Sequence, residues 1–233
     1  MLIENKFVFL AIPKCATMSF EDACLKNNFI IDYSPYELYN RGMLNGVKPT
    51  THSHVPMYKL REIHGHNYPF VTIVREEVSR FVSAWKHILK IIKHTDIEFY
   101  NILKNVGNDE FCYHFGNHFK NLILTKEGVT LFLNQFSNKK HHEKHVIDIF
   151  VSVFTPVVDW TNNDTTLIKF SFENEIPQFE KWVSEMCNID FKLSHINDTK
   201  GIETNLIKDD FLIDFYQTTQ NPTSSHKREL SLI

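Results

Sequence analysis

Phe7-Val8-Phe9-Leu10-Ala11-Ile12-Pro13-Lys14-Cys15-Ala16-Thr17-Met18-Ser19-Phe20 is the stretch on which the fold turns. Its first six residues are a continuous apolar run, the pattern of a β-strand covered on both faces. Pro13 ends the run and small residues follow. The spacing predicts a helix beginning around Thr17 to Ser19, with Glu21 and Asp22 in its first turn, where acids suit the helix dipole. A buried strand that turns at once into a helix aims successive backbone N–H groups at one place. The positive end of the dipole and the Lys14 ammonium add charge there, which makes a seat for a phosphate-like anion. A lysine beside a strand-to-helix turn is, taken alone, an ordinary solvated loop residue.

The same grammar recurs downstream. Phe70-Val71-Thr72-Ile73-Val74 is a second β-branched run, followed by Val78, Phe81, Val82, Trp85, Ile88 and Ile92 at helical spacing. Thr166 to Phe170 offers a third strand, with Phe179, Trp182, Val183 and Met186 on one helical face after it. The stretch from Ile97 to Phe154 reads as mainly helical. Strands alternating with helices imply an α/β protein, a single domain over residues 1–233 with a central parallel sheet flanked by helices. Ligands on such sheets bind at the carboxyl ends of the strands, where the polar junctions fall.

Bulk properties narrow the function classes. Of 233 residues, 42% are hydrophobic and 23% charged, with abundant Phe (20) and scarce Gly (7), as in an ordinary globular chain. A net charge of −3 excludes a global cationic surface for nucleic acid, so any polyanion site is local. No stretch reaches the ~18 apolar residues of a membrane helix. Met1 to Lys6 has no signal-peptide layout. Cys15, Cys24, Cys112 and Cys187 lack paired spacing and suggest reduced thiols. The expectation is a cytoplasmic protein with no membrane segment, in which the sequons at Asn163 and Asn197 carry no sugar.

At the second junction, Val74-Arg75-Glu76-Glu77-Val78-Ser79-Arg80-Phe81-Val82-Ser83, Arg75 closes the strand. Ser79 and Ser83 follow at a four-residue step, on one side of the helix and towards the strand end. An arginine fork with a hydroxyl suits a terminal phosphate.

The first junction is neither an ATP-binding Walker loop nor a dinucleotide turn, because both of those need glycines and the loop has none, and its lysine comes first. The order Pro13-Lys14, then small residues, then Thr17 and Ser19 resembles the 5′-phosphosulfate loop of PAPS-dependent sulfotransferases. The likeness is nearest to the carbohydrate branch, with loops such as P-K-T-A-S-T-S-F; Met18 stands where a Thr is usual. Arg75, Arg80 and Ser83 match the spacing of the family's R-D-P-x-x-R-x-x-S motif, with Glu76 and Glu77 replacing Asp-Pro. His54-Val55-Pro56 with Leu60 is similar to the family's H-[LV]-P-x-x-x-L, whose histidine is the base in many members. Leu193 to Gly201 looks like the late loop that closes over the donor, and Asp209 to Tyr216 like the final helix.

The resemblance implies a P-loop-NTPase-like fold and PAPS as co-substrate, released as PAP. Lys14, Cys15, Ala16, Thr17, Met18 and Ser19 would hold the 5′-phosphosulfate, and Arg75, Ser83, Lys200 and Gly201 the 3′-phosphate. Lys14 would also serve catalysis at the bridging oxygen. His54 would be the general base, with His52 as the alternative, since imidazole titrates near ~6.5. The acceptor would be a hydroxyl of a carbohydrate or small molecule. No metal is required. Lys139 to His145 reads better as a solvated cationic face than as a zinc site, its H-E-K-H being one residue short of H-E-x-x-H. The alternatives are an ATP- and magnesium-dependent small-molecule or nucleotide kinase on the same scaffold, and a non-catalytic anion-binding relative.

Overall fold

The computed structural model describes residues 1–33, 54–119, 126–136, 147, 157–196 and 199–220. In chain order the elements are β1 (Leu2–Ile3), β2 (Phe7–Phe9), α1 (Thr17–Lys26), β3 (Ile31–Asp32), α2 (Met57–His64), β4 (Phe70–Val74), α3 (Glu77–Thr95) and α4 (Ile97–Leu103). There follow α5 (Asn108–Phe119), α6 (Lys126–Asn134), α7 (Val157–Thr161), β5 (Ile168–Ser171), α8 (Ile176–Cys187) and α9 (Asp210–Gln220). Contacts divide the chain into two compact units, one of Met1–Glu77 with Pro156–Asn197 and one of Val78–Thr155 with Asp198–Ile233.

The first unit is an α/β layer structure around a sheet of order β3-β1-β2-β4-β5. β2, β4 and β5, the strands read from the sequence, run parallel. The sheet is nevertheless mixed, not wholly parallel, because β1 lies antiparallel between β2 and β3. The cause is local. Glu4 and Asn5 both take φ 52°, and the Lys6 N–H donates to the Ile3 carbonyl at 2.8 Å. Two left-handed residues in the three-residue connection between β1 and β2 turn the chain into a tight hairpin. A strand as short as Leu2–Ile3 carries no periodic signal.

Both faces of the sheet are covered, which explains why β2 is apolar at every position. Phe7, Phe9, Val71 and Ile73 face Phe20, Ala23 and Cys24 of α1 and Phe179 and Val183 of α8. Val8, Leu10, Ile12 and Phe70 face Met57 and Leu60 of α2, together with Val55 and Trp160. Within the first cluster, Phe9 and Phe20 stack with ring centroids 4.0 Å apart, and Phe179 meets Phe20 edge-on at 5.7 Å.

Two boundaries differ from the expectation. α1 starts at Thr17, so Glu21 and Asp22 fall beyond its first turn, which holds no acid. β5 starts at Ile168 and not at Thr166, because Thr166 is folded back on Asp164, its N–H donating to Oδ1 at 2.8 Å. Arg61 fixes that corner through Nε to Asp164 Oδ2 at 3.1 Å, with its guanidinium 3.9 Å from the centroid of the Phe70 ring.

The second unit is helical as far as it is described. Phe81, Trp85, Ile88, Leu89, Phe99, Phe111, Phe132 and Leu212 belong to one buried cluster. The chain ahead of α9 is laced to it by polar contacts. Asn108 donates to the Ile207 carbonyl at 3.0 Å and accepts from its N–H at 3.1 Å, and Trp85 Nε1–H donates to Thr204 at 3.2 Å. Among the described residues no helix is long and apolar enough to cross a membrane.

Candidate functional site

The site is built outward from the end of β2. Beyond Phe9 the chain stays against β4, with the Leu10 N–H donating to the Val71 carbonyl at 2.9 Å, and then breaks at Pro13. Lys14 and Ala16 take φ 63° and 62°, left-handed conformations that non-glycine residues seldom adopt. Two such residues flanking Cys15 turn the chain sharply from β2 into α1, and left-handed residues in turns of this kind are found where successive N–H groups gather as an anion-binding concavity. The turn is locked from within. The Cys15 N–H donates to the Ile12 carbonyl at 3.2 Å, and the buried Thr17 hydroxyl donates to the same carbonyl at 3.1 Å.

The six loop residues therefore divide by task. Cys15 is fully buried and its N–H is engaged within the turn, so it acts as the loop's anchor. Ala16 is the N-cap of α1 and no side chain caps the helix. That leaves the amides of Ala16, Thr17, Met18 and Ser19 as the donors of the concavity. Thr17 contributes structure through its hydroxyl, Ser19 is half-buried, and Met18 is exposed. Of the Thr17 and Ser19 hydroxyls, only that of Ser19 lies outside the loop's internal bonding in this way.

His54 belongs to the same place. Its Nδ1 lies 2.8 Å from the carbonyl of Ala11, three residues before Lys14. A carbonyl only accepts, so Nδ1 carries the hydrogen, and in the neutral ring the lone pair is on Nε2. The imidazole also meets the buried Trp160 indole edge-on, centroids 6.0 Å apart. Val55, Trp160, Ile12 and Cys15 share one core cluster, so the histidine segment and the turn at Lys14 rest on common packing. Trp160 had no motif to mark it in the sequence. His52, and the whole of Lys139 to His145, lie outside the described residues.

Arg75 stands one residue past β4, the parallel neighbour of β2, and so at the same sheet edge as the turn. Its guanidinium lies 4.7 Å from the centroid of the Phe172 ring, and its Nε is 3.7 Å from Glu173 Oε1. That distance pairs the charges but is too long for a hydrogen bond, so the buried Nε–H has no hydrogen-bond acceptor. Glu173 is otherwise well held. It accepts the Glu76 N–H at 3.2 and 3.3 Å and the Ser171 hydroxyl at 3.3 Å. Sequence reading missed this carboxylate, although it follows the third strand much as Arg75 follows the second.

The remaining expected residues lie in the second unit. Ser83 is half-buried on α3, and Lys200 and Gly201 are exposed. Gly201 takes φ 79° in a turn closed by the Ile202 N–H to the Thr199 carbonyl at 3.2 Å, which explains a glycine there. Ser79, one turn before Ser83 on α3, accepts from Lys208 Nζ at 3.3 Å. Among the described residues no three or more His, Cys, Asp or Glu side chains gather as a metal site. No protein-family model, no curated protein and no solved structure matches this chain.

Proposed function

We propose that the chain is a sulfotransferase that moves a sulfuryl group from PAPS to a hydroxyl of a carbohydrate or small-molecule acceptor. One observation carries the reading: at one edge of the parallel strands, the left-handed turn at Lys14 and the ring of His54 are joined through the Ala11 carbonyl, with Arg75 closing the adjacent strand. An anion cradle, a histidine oriented by its backbone acceptor and a second cation are what sulfuryl transfer from a nucleotide with two anionic ends needs. The strand–turn–helix order after β2 also suits the P-loop-NTPase-like fold of that family.

In this reading the 5′-phosphosulfate rests on the amides of residues 16–19, with Lys14 at the bridging oxygen, and the 3′-phosphate meets Arg75. The acceptor hydroxyl gives its proton to His54 Nε2 as its oxygen attacks sulfur in line. The sulfur–oxygen bond to the 5′-phosphate breaks, and PAP leaves with the negative charge stabilised by Lys14 and the turn. A non-catalytic anion-binding relative is the second reading, favoured by the Glu173 carboxylate that already balances Arg75.

Thermal melting with PAP, with ATP–magnesium and with buffer separates these readings and the kinase. A ligand at ~100 times its Kd that binds only the folded chain adds ~2.7 kcal/mol. PAP is expected to stabilise and ATP–magnesium not. With labelled PAPS and an acceptor panel, His54→Ala should lower turnover by about 10²–10⁴ while PAP binding is kept. Undiminished transfer by that variant would remove His54 from the mechanism, and PAP binding without any transfer would favour the non-catalytic reading.

A further inference from the structure

The contacts of Glu173 describe an anion seat with an anion already in it. It accepts from the Glu76 N–H and the Ser171 hydroxyl and is paired in charge with the Arg75 guanidinium, which lies over the Phe172 ring. These three groups come from the carboxyl ends of β4 and β5, held in register by the pairing of Val74 with Ser171 and by the Phe172 N–H on the Val74 carbonyl at 2.7 Å. Glu173 itself is on the loop between β5 and α8, and its side chain is 34% exposed, against 25% for Arg75. The carboxylate therefore has water to move into, while the donors sit on the strand ends.

We propose that Glu173 is an internal competitor for the phosphate seat at Arg75, displaced when a phosphate monoester binds there. The inference rests on the sulfotransferase reading only for naming that monoester as the 3′-phosphate of PAPS. A carboxylate brings one negative charge and two oxygens. A phosphate monoester brings about −1.5 to −2 at neutral pH and three terminal oxygens, so it can engage all three donors and balance Arg75 more fully. A singly charged ligand gains nothing over Glu173 and does not dislodge it. Glu173 thus sets a threshold: the seat admits a dianion and refuses a monoanion.

The test is calorimetric titration of the full chain and of Glu173→Gln with PAP, with adenosine 5′-phosphate (which lacks the 3′-phosphate) and with inorganic phosphate. The amide keeps acceptor oxygen for the Glu76 N–H and the Ser171 hydroxyl, and an unchanged melting temperature checks that the fold is kept. PAP should bind Glu173→Gln about fivefold more tightly, the size of a partly exposed ion pair that no longer has to open, with adenosine 5′-phosphate unchanged. Unchanged or weaker PAP binding, or equal tightening of both nucleotides, would overturn the role of Glu173. If PAP binds neither protein yet inorganic phosphate binds the variant more tightly, the sulfotransferase reading fails and the competitor stands. If no ligand binds either protein, both fall.

Discussion

Lys14 and Ala16 hold left-handed backbone conformations that cost about 1–2 kcal/mol for each residue with a Cβ, and nothing in the local sequence compels them. The surrounding bonds do. Thr17 carries one of them, so Thr17→Val should lower stability by about 1–2 kcal/mol, seen as a lower urea midpoint with an unchanged slope. A midpoint equal to that of the unaltered protein would mean that the turn holds without it. Asp164 makes a second residue-scale case. Burial raises its pKa, but hydrogen bonds from Thr166 and Arg61 and the Arg61 charge outweigh that and hold it down at about 2, against an ordinary 3.8. A carboxylate held down adds stability at pH above 3.8 that fades as pH falls towards about 2. The advantage of the native chain over Asp164→Asn should therefore shrink between about pH 4 and about pH 2. An advantage that grows with acid would refute the pairing.

At the scale of elements, α1 links the core to the candidate site, because Phe20, in the first turn after the bend at Lys14, is also the residue that docks the helix. Phe20 is fully buried, stacked on Phe9 and flanked by Phe179 and Phe191. Phe20→Ala should cost about 3–5 kcal/mol in chemical unfolding and weaken PAP binding through the loosened helix start. Loss of binding without loss of stability would contradict that coupling. The strands that matter for the site were legible in the sequence because burial on both faces leaves continuous apolar runs at Phe7 and Phe70. β1 and β3 were not, since two-residue strands are specified by a hairpin turn and by edge pairing rather than by composition. The turn at Lys14 and the placing of His54 were legible as motifs. Glu173 and Trp160 were not, because their importance comes from neighbours about 100 residues away in sequence, Arg75 and His54.

On the whole molecule, the thiols report burial. Burial, with smaller contributions from Cys187, Glu21 and Glu4, pushes the Cys24 thiol far up, and burial with nearby Asp109 and Asp209 pushes Cys112 up to about 12. Burial also raises Cys187, against the opposing charge of Lys6, but that residue is only half-buried. Iodoacetamide at about pH 8 should label Cys187 first and the other cysteines only in denaturant, as peptide mapping would show. Prompt labelling of Cys24 in the native protein would contradict its packing. The division into units has a practical corollary. Each is assembled from two separate lengths of chain, and the polypeptide crosses from one to the other after residues 77, 155 and 197. No single start and stop codon can excise either one. A series of truncations would return fragments missing β5 or missing α9, and only a gene with the intervening length cut out and the flanking lengths fused would deliver a unit intact.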